Sequence, residues 1–182
     1  MNTSCNSVSD SDMAPQADAQ PPDLSWIAAA HPDIQVVYRY WREKCAGRRM
    51  PRRADLDPID LAPYLPSLLL VDVLKPAHIL GQPTYVYRLV GTREVAVRGV
   101  DPTGKPVAGH SFCPTGTDPL RNYDQVVKSR APWIDRHEMV SADFTLLDRD
   151  KLFLPLSSDD DAVDMILVFT VQEKLVRSRQ TL

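Results

Sequence analysis

Apolar residues recur at Ile34, Val37, Tyr38, Trp41 and Cys45, the spacing of a single stripe down a helix, with Gln35, Arg39, Arg42 and Glu43 turned outward. Pro32-Asp33 suits the entrance and Gly47 the exit. Asp57-Pro58 then reads as a cap and first position of one short turn, confined by Pro63 and Pro66. From Ser67 the period changes. SLLLVDVL is a short apolar run with a β-branched end, and YVYRLVG sets Tyr85, Tyr87 and Leu89 against Val86, Arg88 and Val90. Both predict strands, joined through KPAHILGQP. TREVAVRG offers Thr92 as a cap, a brief helix and Gly99 as a stop, and VDPTGKPVAGHSFCPTGT reads as loop. Asp118-Pro119 opens a second helix with an inner stripe of Leu120, Tyr123, Val126, Val127 and Arg130, ended by Pro132. WIDRHEMV, FTLLDRDKLFLPLS and AVDMILVFTV predict three closing strands. In the last, both faces are apolar, which predicts a central strand covered on each side. The order predicts an α+β fold, a five-stranded antiparallel sheet with helices over one face and an amphipathic helix at the N-terminal side.

Composition narrows this plan. The chain has 182 residues, 43% hydrophobic, with a net charge of −3, which fits one domain and excludes a surface that is basic throughout. Residues 1–22 hold little to bury and lack the basic start and apolar run of a signal peptide, so they read as a disordered leader. The folded unit is expected over 23–172, with a tail at 173–182. The longest apolar runs fall far short of the ~20 residues that cross a bilayer. Cys5, Cys45 and Cys113 share no metal-like spacing, so a reduced, cytoplasmic setting is expected.

The run RRMPRRADLDP, then LPSLLLVDV, YRLVGT, GVDPTGK, and LPLSSDD with AVDMIL resembles a bacterial PAS-like family over about residues 40 to 170. The resemblance implies the architecture already inferred, and a sensor and interaction module, some members holding a small ligand between sheet and central helices. One departure stands out: the turn before the last strand usually carries glycine in such sequences, and here it is Asp159-Asp160-Asp161. Aspartate tolerates positive φ better than most residues.

No catalytic set emerges. GVDPTGKP matches a phosphate loop until Pro106 replaces the hydroxyl residue, and a helical segment precedes it where a strand belongs. His31, His78, His110 and His137 have no metal spacing, and no nucleophile elbow occurs. The chain is therefore expected to be non-catalytic and to hold no metal. The cofactor stays unknown: haem would need a histidine on the central helix, and Cys113 lacks the flanks of a flavin photosensor. Arg48, Arg49, Arg52 and Arg53 each have acids nearby in sequence. The preferred reading has Arg53 pinning the crossing from the first helix into the core, and the others on an edge open to an acidic partner or phosphorylated ligand. Nucleic acid ranks last, for want of exposed aromatics and a basic balance. The second candidate site is an apolar cleft of Tyr85, Tyr87, Leu89, Leu120, Tyr123, Val127, Leu167 and Phe169, with plain core packing as its alternative. The expected function is signal transduction through a protein partner, with or without a small ligand. The first helix, with Tyr38 and Trp41, is the element expected to pack or to form a homodimer. A dedicated small-molecule sensor and an anion-contacting arginine surface remain the alternatives.

Overall fold

The computed structural model describes residues 25–74, 84–111, 118–140 and 146–174. The leader, the KPAHILGQP connection, Cys113 and most of the tail lie outside them. Helix α1 spans Pro32–Lys44, strands β1 and β2 span Leu68–Leu74 and Thr84–Val90, and helices α2 and α3 span Thr92–Arg98 and Arg121–Ser129. Strands β3, β4 and β5 span Trp133–Val140, Leu146–Leu156 and Met165–Lys174. They form one antiparallel sheet in the order β2-β1-β5-β4-β3. This is the five-stranded α+β plan that the hydrophobic pattern predicts, with β5 central.

Partners opposite one another share a face of the sheet, so the register sorts the strands into two surfaces. Leu69, Val71, Val168, Ile166 and Phe153 stand on the inner face, which α3 covers through Tyr123 on Phe153. Leu68, Leu70, Leu167, Phe169, Leu152 and Leu154 stand on the outer face. Helix α1 covers part of that outer face. Its Ile34, Val37 and Trp41 are buried, and the Trp41 indole N–H donates to the Pro155 carbonyl at 2.9 Å. The stripe expected to serve packing or dimerisation is thus taken up by the chain's own sheet. Cys45 ends it as a buried free thiol whose pKa burial pushes up.

Two local expectations change. Gly91, not Thr92, caps α2, and Gly99 ends it at φ 73° as expected. Arg130 is not part of the inner stripe of α3. It takes the left-handed conformation at φ 55° beyond the helix and pairs with Asp161 at 3.0 Å. The Gly/Pro segment after α2 is loop, yet it lies along β2: the Tyr87 N–H donates to the Lys105 carbonyl at 3.0 Å, and the Gly104 N–H to the Tyr87 carbonyl at 2.7 Å.

Candidate functional site

Residues 57–67 reach the sheet as successive tight turns. Asp57 Oδ1 accepts from the Ile59 N–H at 2.9 Å, and i→i+3 backbone bonds then run from Asp57 to Leu61 and on to Ser67. Pro58, Pro63 and Pro66 remove backbone donors and keep this segment from becoming a full helix. It therefore leans on the outer face without filling the space above it. An apolar groove of about 540 Å³ results. Leu68, Leu70 and Leu167 line its floor on the sheet side. Leu56, Leu61 and Leu65 stand on one side, with Leu89 and Val90 of β2 on the other. Its few polar neighbours are Arg53, Asp57 and Thr92. Leu65 is 39% exposed and Leu89 44%, and Ile59, in the turn of the wall, is 80% exposed.

The expected cleft is divided between the two faces. Tyr85, Tyr87 and Tyr123 do come together on the inner face, with Leu120 and Val127 half-buried against the core. Leu89, Leu167 and Phe169 do not join them. The ladder shifts between Leu70 and Val71, so that Leu70 faces Leu89 and Val71 faces Tyr87, leaving Arg88 as an extra residue. That bulge turns Leu89 to the outer face. Leu167 and Phe169 share the outer face with Leu70 and Leu68.

On the inner face the rings pack against one another. Tyr123 lies 5.2 Å from Tyr85 and 5.3 Å, edge-on, from Phe153. The Tyr85 phenol donates to Asp124 Oδ1 at 2.5 Å. Burial, then that bond and the Asp124 charge, push its pKa far above the ordinary phenol range. Arg98 sits over the Tyr87 ring at 5.3 Å and pairs with buried Glu94 at 3.5 Å. The sequence signal for this pair was present, an acid and a base four apart in a short helix.

The arginine cluster is built differently from the expectation. Among the described residues, Arg53 donates to the Leu56 carbonyl alone, at 3.1 Å, because it starts its own tight turn. Arg48 is the pin. Its Nη2 donates to the Ser157 carbonyl at 3.0 Å, with Asp55 and Asp160 at 3.7 and 3.8 Å. Arg52 Nε donates to the Ser158 carbonyl at 3.3 Å, while the Arg49 side chain is exposed. Asp160 completes the latch. At φ 71° its Oδ1 accepts the backbone N–H groups of Arg49 at 3.0 Å and Met50 at 3.1 Å. The cluster ties the end of α1 to the β4–β5 turn.

Among the described residues, no group of three or more His, Cys, Asp or Glu is placed to hold a metal ion. Nor is any helix among them long and apolar enough to cross a membrane. The sequence profile of a family described as PAS domain matches residues 29–170. No functionally curated protein matches. Among solved structures, the crystal structure of the Rhodobacter sphaeroides LOV protein is 19% identical, with a TM-score of 0.41 over 63% of this chain and 62% of that one. A structure of a substituted RsLOV is 18% identical, with a TM-score of 0.41 over 66% of this chain and 68% of that one.

Proposed function

The chain belongs to the PAS domain family, and on that premise we propose that it is a cytoplasmic, non-catalytic signalling module that acts by contact with another protein at the outer-face groove. Family membership supports a sensor or signalling role. The observation that carries the contact site is the apolar groove with exposed Leu65, Leu89 and Ile59 about it. An apolar centre within a rim of Arg53, Asp57 and Thr92 has the anatomy of a protein interface. Ile59 favours a protein over a small molecule. It stands in the wall's turn, outside the residues that line the groove, so a broad apolar surface is needed to cover both. The inner-face phenols support the same choice, since Tyr85 is held by Asp124 and Tyr87 lies under Arg98. The arginines support it too, because Arg48 and Arg52 are turned onto the chain's own carbonyls.

The test places photoreactive benzoylphenylalanine at Ile59, Leu89 or the exposed Val100, which does not line the groove, in the full chain inside its own host. The expected result is one protein adduct shared by the first two positions, absent at Val100 and lost when Leu65→Glu is added. No adduct at Ile59 and Leu89, or the same adduct from Val100, would overturn the reading.

A further inference from the structure

Strand β5 runs on past its neighbour. β1 begins at Leu68, opposite Phe169, so β1 offers no partner to Thr170 and Val171. The chain before Leu68 takes the tight turn Leu65–Ser67 rather than extending the ladder. The β5 edge therefore opens onto a second, polar notch of about 420 Å³. Its walls come from four places: Tyr64 and Ser67 before β1, Thr170 on β5, His31 and Asp33 at the start of α1, and Arg93 in the first turn of α2. The volume falls within the roughly 300–1,000 Å³ of small-molecule sites.

One charged group of the notch has bonding capacity to spare. Arg93 Nη1 donates to the Ser67 hydroxyl at 3.3 Å, and the guanidinium pairs with no carboxylate among the described residues. Its planar fork suits a carboxylate. Thr170 is 1% exposed, and its Oγ1 has no hydrogen-bond partner among the described residues. That hydroxyl is sealed from solvent and stands on the strand face that carries Val168, behind the wall of the notch. The α1 wall adds the opposite charge. The Asp33 carboxylate lies 3.7 Å from His31 Nδ1 and is half exposed.

These charges limit what fits. A simple anion would satisfy Arg93 and meet repulsion from Asp33. A simple cation would do the reverse. A molecule carrying both charges satisfies both walls. From this arrangement we infer that the notch binds a small zwitterion of the free amino acid class, carboxylate toward Arg93 and ammonium toward Asp33. The site is separate from the apolar groove and does not depend on the function proposed for it.

The test is titration calorimetry and thermal shift of the full chain with each of the common amino acids in turn. Any amino acid that binds is compared with its analogues lacking the ammonium or the carboxylate, as propionate and ethylamine are for alanine. The expected result is saturable one-site binding of at least one amino acid and none of its two analogues. Arg93→Met and Asp33→Asn should each weaken binding by about tenfold or more, the loss of one charge-assisted contact. The inference is overturned if no amino acid binds the unsubstituted protein, if an analogue binds as tightly as its parent, or if Arg93→Met and Asp33→Asn leave the affinity unchanged.

Discussion

Asp160 carries two opposed contributions, and a series of substitutions separates them. Its backbone sits at φ 71°, a conformation that costs an L-residue about 1–2 kcal/mol, at the lower end for aspartate. Against that, Oδ1 accepts the Arg49 and Met50 N–H groups at 3.0 and 3.1 Å. Bonds to a charged acceptor contribute about 1.5–3 kcal/mol each when buried. This carboxylate is 37% exposed, so about 1 kcal/mol each is the better figure. Asp160→Asn keeps one acceptor oxygen and tolerates the backbone, and should cost less than about 1 kcal/mol. Asp160→Gly loses about 2 kcal/mol of bonding and recovers about 1 from the backbone, for a net loss near 1. Asp160→Ala loses the bonds and keeps the strain, for a net loss of about 2–3 kcal/mol. At ~2–4 °C per kcal/mol for a chain of this size, calorimetric melting points should fall in the order parent, Asn, Gly, Ala, with Ala about 4–12 °C below the parent. A glycine variant melting at or above the parent would refute the latch, and equal glycine and alanine variants would refute the strain.

Two more expectations follow from close packing and from pKa. A Cβ added at Gly91 would overlap the backbone carbonyl oxygens of Leu65 and Pro66, which have no flexible end to yield. Gly91→Ala should therefore cost about 3 kcal/mol or more. Differential scanning fluorimetry should show a drop of about 6–12 °C, and a drop under about 2 °C would refute the close fit. Tyr85 is held protonated in the folded chain by burial and by Asp124, so its folded pKa lies above the ordinary value of about 10. Its contribution is fully present below about pH 10 and is lost as pH rises from there toward the folded pKa, because only the unfolded chain has released the proton. Urea midpoints taken from pH 8 to pH 11 should fall more steeply above pH 10 for the parent than for Tyr85→Phe, and parallel curves would refute the assignment.

Most elements were legible because their local signals agreed with their burial. The stripe of Ile34, Val37 and Trp41 becomes the buried face of α1, and the doubly apolar MILVF becomes part of the central strand. A positive-φ aspartate was legible within Asp159-Asp160-Asp161, where such turns carry glycine, but which of the three takes it was not, and the structure puts it at Asp160. The facing of the cleft residues was not. A single extra residue, Arg88, reverses Leu89 relative to Tyr85 and Tyr87, and simple alternation has no means of registering a bulge. Leu167 and Phe169 were ambiguous for another reason: on a strand apolar on both sides, hydrophobicity does not say which face meets which helix. Arg48 and Arg53 looked alike in sequence, and it is the distant Ser157 carbonyl and Asp160 carboxylate that distinguish them. The groove had one trace, the prolines at 58, 63 and 66, which reveal that no regular helix forms and not how far the turns stand from the sheet.

The two candidate sites share one element. Leu65 and Pro66 line the groove, while Pro63, Tyr64 and Ser67 line the notch, so the turn at Leu65–Ser67 divides them. That turn is fastened from several directions. Gly91 lies against its carbonyls, the Gly91 N–H donates to the Leu68 carbonyl at 2.8 Å, and Arg93 holds the Ser67 hydroxyl. A wall fixed in this way does not shift with one occupant to suit the other, because the packed carbonyls leave no second arrangement for it to adopt. The sites should then respond to substitution separately. Leu89 belongs to the groove alone and Thr170 to the notch alone. A Leu89→Arg, Thr170→Val double variant should therefore show the two single-variant stability changes added within about 0.5 kcal/mol. A larger discrepancy would mean that the turn moves, and that occupancy of the notch bears on what the groove can hold.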